Sequence, residues 1–317
     1  MPESFPKPRF KFEYTLSPEV TRLRQHRETR GVPSVNSKNL LLATWNIANF
    51  GGQDRGDDDH KIIAEILSWF DVVAIQEVKE NFEGLFDVLD ALGSPYRTVF
   101  SDVAGNNERM VYVYNAERVK LLEELGEVAF PVARIRKLKL KGVGQKFEGF
   151  DRSPYVATFQ RGRVSFLLVN VHLFFGKEAS KADMNRRALE TFAVATYAAD
   201  RRRSKKSFTR EVVALGDFNM PKKAKGDPIY NALTAKGLML PEHTSKVGSN
   251  LKGDKEYDQV AFFPGKTENC FKQSGVFDFD KVLFKALWDS RTDQEYWSYV
   301  RYYVSDHRPL WMELELP

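Results

Sequence analysis

The feature that most restricts the fold is a series of apolar segments that each end in a polar residue. Short apolar runs bounded by polar or turn residues predict buried β-strands. Predicted strands end at Asn46, Glu77, His172 and Asp217, and Asn219 follows Asp217 by two positions. Asp258 stands just before another apolar strand, and Asp306 and His307 stand just before the last one. Because strand ends gather at an edge of a sheet, these side chains are expected to converge on one cleft.

Helical patterns separate some of the strands but not all of them. Apolar residues at helical spacing predict helices at Lys181–Asp200 and Phe279–Trp288. The strands at Tyr96–Phe100 and Arg109–Asn115 have no room for a helix between them, which indicates hairpins mixed with β-α units. The pattern predicts an α/β fold of packed mixed sheets flanked by helices, rather than a parallel barrel.

Composition and charge narrow the class of protein. The chain has 317 residues with 42% hydrophobic residues, enough for a sizeable core. No apolar run is long enough to cross a bilayer and no apolar leader precedes the first strand, so no membrane association is expected. A single cysteine, Cys270, excludes an intrachain disulfide and suits a cytoplasmic protein. The net charge of +5 suits a polyanionic partner.

The first part of the chain differs in composition from the rest. Residues 1–38 are rich in proline and contain the basic stretch Arg22, Arg24, Arg27 and Arg30. We therefore expect an N-terminal basic, Pro-rich extension over 1–38, solvated and partly ordered, and a catalytic domain over 39–317.

The polar residues at the strand ends suit phosphoester chemistry. Carboxylate and amide oxygens are the ligands that Mg²⁺ and Mn²⁺ prefer, whereas zinc favours His and Cys. Neutral amides can also donate to phosphate oxygens, and a histidine held by a carboxylate can transfer a proton near neutral pH. Each residue alone has an ordinary structural explanation, such as a turn or a cap. Their recurrence at successive strand ends predicts a single hydrolytic site.

In these motifs the chain resembles the endonuclease/exonuclease/phosphatase superfamily, and within it the deoxyribonuclease I-like nucleases. The motifs follow the family's order from about residue 40 to the end. They are Thr44-Trp-Asn46, Ile75-Gln-Glu77-Val, Glu108-Arg-Met-Val-Tyr, Asn170-Val-His172, Gly216-Asp217-Phe-Asn219, Tyr257-Asp258 and Ser305-Asp306-His307. The segments Phe150-Asp-Arg152-Ser-Pro-Tyr and Phe277-Asp-Phe279 resemble further deoxyribonuclease features. The resemblance implies a four-layer α/β sandwich with two packed mixed sheets flanked by helices.

The resemblance also implies roles for individual residues. Glu77, with Asn46 and Asp306, would hold the principal metal, Mg²⁺ or alternatively Mn²⁺. Asp217 and Asn219 would bind a second metal or orient the phosphate and the attacking water. His172 would be oriented by Glu108 and His307 by Asp258, with one histidine acting on water and the other on the leaving oxygen. Which histidine does which is left open.

Substrate contacts are implied at the rim of the site. Arg152 would clamp a neighbouring phosphate through its planar guanidinium. Lys79 follows the Glu77 motif, where related nucleases place a basic contact to DNA. The loop before Glu108 lacks the aromatic residue of those nucleases and contains Asn106 and Asn107, which implies hydrogen bonds in place of stacking. These features imply a double-stranded DNA partner.

Three functions follow from the sequence. The first is a metal-dependent, deoxyribonuclease I-like endonuclease that hydrolyses the DNA backbone by in-line attack of an activated water. The second is a phosphoester or phospholipid hydrolase of the inositol-phosphate phosphatase or sphingomyelinase type, since the same machinery serves those substrates. The third is an inactive module that binds nucleic acid, which the complete set of Glu, Asp and His residues disfavours.

Overall fold

A computed structural model describes residues 5–316 and shows two β-sheets packed face to face. The larger sheet has the strand order β10-β11-β1-β2-β4-β3, and the smaller has the order β5-β6-β7-β8-β9. The strands of the larger sheet are β1 (Asn39–Phe50), β2 (Val72–Val78), β3 (Tyr96–Phe100), β4 (Arg109–Asn115), β10 (Phe271–Val276) and β11 (Leu310–Glu315). Those of the smaller are β5 (Lys120–Glu127), β6 (Tyr155–Arg161), β7 (Val164–His172), β8 (Val212–Asp217) and β9 (Asp258–Phe262).

Helices cover the outer face of each sheet. In the described residues the α-helices are α1 (Leu16–Thr29), α2 (Asp57–Leu67), α3 (Glu83–Leu92), α4 (Val132–Ile135), α5 (Lys181–Arg203), α6 (Pro228–Thr234), α7 (Lys266–Cys270), α8 (Lys285–Ser290) and α9 (Asp293–Tyr303). A short 3₁₀ helix spans Phe279–Lys281. No helix among them combines the length and the apolar character that a membrane span requires.

Three apolar clusters separate the layers. The cluster between the sheets contains Leu42 and Ala74 from one sheet and Leu168 and Val260 from the other. A second cluster joins the outer face of the larger sheet to helices such as α2, and a third joins the smaller sheet to α5. Both faces of each sheet are therefore buried, which explains why β1 and β8 are buried along their whole length. The predicted four-layer sandwich is confirmed.

The two sheets are mixed in strand direction, as the sequence predicted. β1 and β2 are parallel, and so are β7 and β8, whereas their outer neighbours pair with them in the antiparallel direction. The two parallel pairs are the strands whose ends were predicted to converge. Their C-terminal ends lie at one edge of each sheet, and this edge contains the candidate site.

Helix α1, in the segment before β1, packs on the larger sheet's helices, although most of residues 5–38 are exposed or partly exposed. Leu23 of α1 is fully buried in the same cluster as α2. Asp278, itself buried, accepts hydrogen bonds from His26 and Arg30 of α1. Tyr14 donates to Asp59 Oδ1 at 2.7 Å. The division into an extension and a catalytic domain stays a prediction, but this extension shares the core of the remaining chain.

The predicted helix at Phe279–Trp288 is wrong in its continuity. Phe284 has a φ of +55°, in the left-handed region, and divides the segment into the 3₁₀ helix and α8. A helix cannot pass through a residue in that conformation. The following helix α9 begins at the capping box of Thr292 and Glu295, in which each side chain bonds to the backbone N–H of the other residue.

Candidate active site

Strand register places three of the site residues side by side. In the smaller sheet, His172 of β7 pairs with Asp217 of β8, and Asp217 pairs with Asp258 of β9. Gly216 makes this approach possible because a Cβ there would lie 2.1 Å from the carbonyl oxygen of Val171. The sequence Gly216-Asp217 thus allows β7 and β8 to approach closely and places a carboxylate at the end of β8.

The larger sheet contributes the facing half of the site. Asn46 of β1 donates from Nδ2 to Glu77 Oε1 at 3.0 Å and to Asp217 Oδ2 at 3.2 Å. The other Glu77 oxygen accepts from the backbone N–H of Asn49 at 2.9 Å. Glu77 has a φ of +64°, so the end of β2 turns sharply and directs the carboxylate across the sheet edge. Asn46 therefore joins the carboxylates of the two sheets.

His172 is held against a carboxylate on its Nδ1 side. This nitrogen lies 3.0 Å from Glu108 Oε2, and both side chains are buried. Its Nε2 lies 3.7 Å from Asp217 Oδ2 and 4.0 Å from Glu77 Oε1. Burial raises the pKa of Glu108, but the charges of His172, Arg152 and Lys79 outweigh it and lower that pKa below its ordinary value. Glu108 is therefore ionised.

His307 has the same arrangement on the opposite side of Asp217. Its Nδ1 lies 2.7 Å from Asp258 Oδ2, and its Nε2 lies 4.0 Å from Asp217 Oδ2. Burial acts to lower the pKa of His307, but the carboxylates of Asp258, Asp217 and Asp306 outweigh it and raise that pKa well above its ordinary value. The fixed Nδ1 contact leaves Nε2 as the nitrogen that faces the site.

Asp306 stands beside His307 and close to the Glu77 carboxylate. Burial raises the pKa of Asp306 to about 6; His307 opposes that rise and Glu77 adds to it. Burying several carboxylates together is costly unless a cation compensates them.

Asn219 is fixed by its own backbone turn. It has a φ of +51°, its N–H donates to Asp217 Oδ1 at 2.7 Å, and its Nδ2 donates to the carbonyl of Leu173 at 2.7 Å. The buried Arg187 of α5 donates to the Asn219 carbonyl at 2.9 Å. Arg187 was not predicted as a site residue. The one feature of the sequence that could have indicated it is the position of an arginine on the apolar face of a predicted helix.

Two of the residues predicted to contact the substrate form hydrogen bonds within the protein itself. Arg152 is 4% exposed and donates to the carbonyls of His172 at 2.8 Å and Leu173 at 3.0 Å. Lys79 donates to Glu108 Oε1 at 2.9 Å. Both cations therefore support the His172–Glu108 pair. Their predicted contacts with phosphate and DNA stay predictions.

The loop with Asn106 and Asn107 lies directly over Arg152. Gly105 has a φ of +52°, and a Cβ at this position would lie 2.6 Å from Cγ of Arg152. A glycine is needed here because both the backbone conformation and the space exclude a side chain. Asn106 is partly exposed and Asn107 exposed, so they are placed at the rim, next to the Glu108 side of the site.

A buried amide network joins the sheets beneath the site and was also missed. Gln76 donates from Nε2 to Asn170 Oδ1 at 2.6 Å. Asn170 donates in turn to the carbonyls of Ile75 and Val111, each at 3.2 Å. The sequence feature that could have indicated the network is the position of the two amides, since Gln76 directly precedes Glu77 and Asn170 stands two residues before His172. The network fixes the distance between the two strand ends that hold those residues.

The donor atoms fit a divalent cation. Oδ1 of Asn46 is buried without a hydrogen-bond partner, beside the Glu77 and Asp217 carboxylates. Ligand atoms of Asp217, Asp258 and His307 also lie within 4.8 Å of one another. We favour the oxygen-rich group around Asn46 and Glu77, because Asp258 and His307 already satisfy each other at 2.7 Å. An unpartnered amide oxygen among carboxylates is the kind of ligand set that Mg²⁺ and Mn²⁺ accept.

Comparison with known proteins agrees with this geometry. The sequence model of the endonuclease/exonuclease/phosphatase family matches residues 43–307. That range contains every residue placed in the site above. Among curated proteins, no sequence relative matches the chain.

Solved structures share the fold at low sequence identity. An endonuclease/exonuclease/phosphatase family protein from Bacteroides thetaiotaomicron is 20% identical with a TM-score of 0.56, covering 88% of this chain and 98% of that one. Mannosyl-6-phosphatase from the same organism is 19% identical with a TM-score of 0.54, covering 87% and 99%. D. rerio TDP2 complexed with single-strand DNA product is 16% identical with a TM-score of 0.56, covering 87% and 98%. These similarities establish the fold.

Proposed function

Because the chain belongs to the endonuclease/exonuclease/phosphatase family, whose members hydrolyse phosphoester bonds, we propose that it is a divalent-metal-dependent nuclease that hydrolyses the DNA backbone. The observation that supports this most directly is the position of Asp217. Its Oδ2 lies 3.7 Å from Nε2 of His172 and 4.0 Å from Nε2 of His307. Two proton-transfer groups therefore face one carboxylate from opposite sides.

Each histidine presents the same nitrogen to the site. Glu108 lies at Nδ1 of His172, and Asp258 lies at Nδ1 of His307. A carboxylate in that position fixes the orientation of the ring, so proton transfer takes place at Nε2. In the proposed reaction one Nε2 accepts a proton from the attacking water. The other Nε2 donates a proton to the oxygen that leaves, and the geometry does not distinguish the two roles.

The oxygen ligands are proposed to hold the metal. Glu77, Asn46 and Asp306 would bind the principal ion, and Asp217 and Asn219 would bind a second ion or orient the phosphate. When bound, the metal supplies positive charge that stabilises the charge developing on the phosphate. Asn46 is suited to this group because its amide lies between Glu77 and Asp217 and adds no negative charge.

The rim residues are proposed to position the substrate. Asn106 and Asn107 would donate hydrogen bonds to the nucleic acid from the loop over Arg152. Arg152 and Lys79 would place positive charge near a phosphate while keeping Glu108 ionised. The net charge of +5 supports a polyanionic substrate, because a basic protein attracts the phosphate backbone at long range.

A second candidate is hydrolysis of a small phosphate monoester, such as a sugar phosphate. The structural similarity to mannosyl-6-phosphatase favours it, since that protein has the same fold. The nuclease is preferred because a groove of about 870 Å³ opens beside His307. This space exceeds what a single phosphate group needs.

Incubation of the purified protein with supercoiled plasmid and with circular single-stranded DNA tests the proposal. Each reaction is run in Mg²⁺, in Mn²⁺ and in excess EDTA, with His307→Ala as the matched inactive variant. Cleavage that needs metal and is lost in His307→Ala is the expected result. Phosphate release from a sugar phosphate, without cleavage of either DNA, contradicts the nuclease and supports the second candidate.

A further inference from the structure

A groove leads away from the active site, and one of its walls lies outside the residues that the family match includes. It begins at Asp306 and His307 and continues between the segment Pro8–Phe10 and helix α9, with a volume of about 870 Å³. The segment Pro8–Phe10 precedes residue 43, where the family match begins. One wall of the groove therefore belongs to this chain's own N-terminal segment, which the proposed reaction does not use.

Three cations that form no ion pair with the described residues line the groove. Arg9, Lys252 and Arg301 contribute to its walls, and among residues 5–316 none of them forms an ion pair. Arg9 and Lys252 are exposed. Arg301 lies with its guanidinium 4.8 Å from the ring of Phe5, and its Nε has no hydrogen-bond partner among residues 5–316. Their charge is available to a bound anion.

The same walls contain the acidic residues Asp254, Glu295 and Asp306. Asp254 accepts a hydrogen bond from Asn250 Nδ2 at 2.7 Å. Glu295 accepts from the backbone and the hydroxyl of Thr292 at 3.2 and 3.0 Å, as part of the cap of α9. Glu295 is also paired with Arg291 at 3.3 Å, whereas Asp254 and Asp306 form no ion pair among the described residues and keep their charge. The three unpaired cations therefore outnumber the two unpaired carboxylates of the groove.

Aromatic rings line the same groove as these cations. Phe10 stacks on Tyr299 with ring centroids 6.1 Å apart, and Trp297 packs edge-on against Trp288 at 5.8 Å. Both rings line the groove and both are partly exposed. The guanidinium of Arg291 lies 4.7 Å from the Phe10 ring centroid, and Nζ of Lys281 lies 5.6 Å from that of Trp297. Their packing holds them in place, which lowers the entropy lost when a planar ligand stacks on them. Cations interleaved with aromatic rings are typical of surfaces that bind a single nucleic-acid strand.

We propose that this groove binds unpaired nucleotides of the substrate strand next to the bond that is cleaved. The proposal rests on the proposed nuclease function and specifies its substrate. In a duplex, neighbouring base pairs cover the faces of each base, so only an unpaired base can stack on an aromatic ring of the groove such as Trp297. Arg9, Lys252 and Arg301 bind the phosphates between those bases. The continuity of the groove with His307 places the bound strand at the catalytic histidines.

Binding of a fluorescein-labelled oligodeoxythymidylate in EDTA tests this without cleavage. Fluorescence anisotropy gives the Kd for the wild-type protein, for Arg9→Glu/Lys252→Glu and for the matched control Lys137→Glu/Lys139→Glu. The control changes the net charge equally at exposed positions outside the groove. We expect the groove variant to bind about ten-fold more weakly or worse, and the slope of log K against log salt to fall by about 1.4. The control should retain wild-type binding.

Trp297→Leu tests the aromatic contribution separately. It should weaken binding of the single strand about five-fold or more and leave binding of a duplex of equal length unchanged, because only unpaired bases stack. Thermal melting confirms that each variant is folded. Equal weakening by the groove and control pairs, equal wild-type affinity for single strand and duplex, or no binding at all would each overturn the proposal.

Plasmid nicking in Mg²⁺, measured in parallel, separates this inference from the nuclease itself. If the wild-type protein nicks the plasmid and the groove variant binds the oligonucleotide as tightly as wild type, the groove proposal is wrong and the nuclease proposal stands. Groove-dependent binding by a protein that cleaves neither DNA retains the groove and rejects the nuclease.

Discussion

Nδ1 of His307 lies 2.7 Å from Oδ2 of Asp258, and both side chains are buried at the edge where the two sheets meet. The pair is built from distant parts of the chain, since Asp258 begins β9 and His307 precedes β11. Asp258 thereby determines which nitrogen of His307 faces Asp217. If Asp258 acts only by positioning His307, replacing either residue should affect the cleavage rate in a related way.

Asp258→Asn and His307→Gln should lower the rate through one shared defect. Loss of general acid–base help typically costs about 10²–10⁴-fold, and we expect His307→Gln to fall in this range. Asp258→Asn should approach it because the amide no longer fixes the imidazole. The double variant should then be no slower than His307→Gln. Single-turnover cleavage rates measure all three, and additive losses would show that Asp258 acts independently of His307.

Glu77→Gln should remove the proposed principal metal ligand while keeping the size of the side chain. A bound metal contributes several kcal/mol of transition-state stabilisation, so kcat should fall at least about a hundred-fold. The exposed Glu80 provides the matched control, and Glu80→Gln should retain wild-type activity. Mg²⁺ titration of the cleavage rate is the measurement. A Glu77→Gln enzyme with normal turnover and the same Mg²⁺ dependence would contradict the metal assignment.

Arg152 distinguishes a phosphate contact from a structural role. It bridges the carbonyls of His172 and Leu173, which a lysine cannot do with the same geometry. If this support is its main role, Arg152→Lys should destabilise the fold by about 1–3 kcal/mol by leaving a buried carbonyl unpaired. Chemical denaturation measures that loss. A raised KM with unchanged stability would instead favour the phosphate clamp that the sequence predicted.

Sequence alone predicted most of the strands and their polar ends, because both depend on local pattern. β3 and β4 were predicted at their observed bounds. β5 was missed because the leucines of Lys120–Glu127 have no clear alternation, and it lies at a sheet edge with much of its length exposed. α9 was missed because its aromatic residues are weak helix formers, although its capping box was visible in the sequence.

The contacts of the site were harder to predict than its members. Strand ends suggested that Glu77, Asp217 and His307 lie together, since strands align such residues at one edge. The engagement of Lys79 by Glu108 and of Arg152 by two carbonyls depends on loops that pack across the site. Nothing in local spacing fixes such contacts. The groove beside α9 likewise depends on the path of residues 8–10 over the folded domain.

Glu190 of α5 should make stability depend on pH. It accepts hydrogen bonds from the backbone N–H of Asp151 and of Phe174, each at 3.1 Å, and so supports the segments next to Arg152 and His172. Burial raises the pKa of this carboxyl from 4.5 to about 7, against the opposing effect of these hydrogen bonds and of Arg186. Between pH 4.5 and 7, Glu190 is therefore protonated in the folded protein and ionised in the unfolded chain.

The sign of the effect follows from that difference. The free energy of unfolding should fall by up to about 3 kcal/mol as the pH rises from 4.5 to 7, since ionising the buried carboxyl costs free energy only in the folded state. Glu190→Gln removes the titrating group, so stability measured by urea unfolding across this range should lose that component. The exposed Glu117→Gln serves as the control and should keep the wild-type pH profile. If Glu190→Gln and wild-type protein show parallel profiles, Glu190 is already ionised in the fold, held so by its two backbone donors.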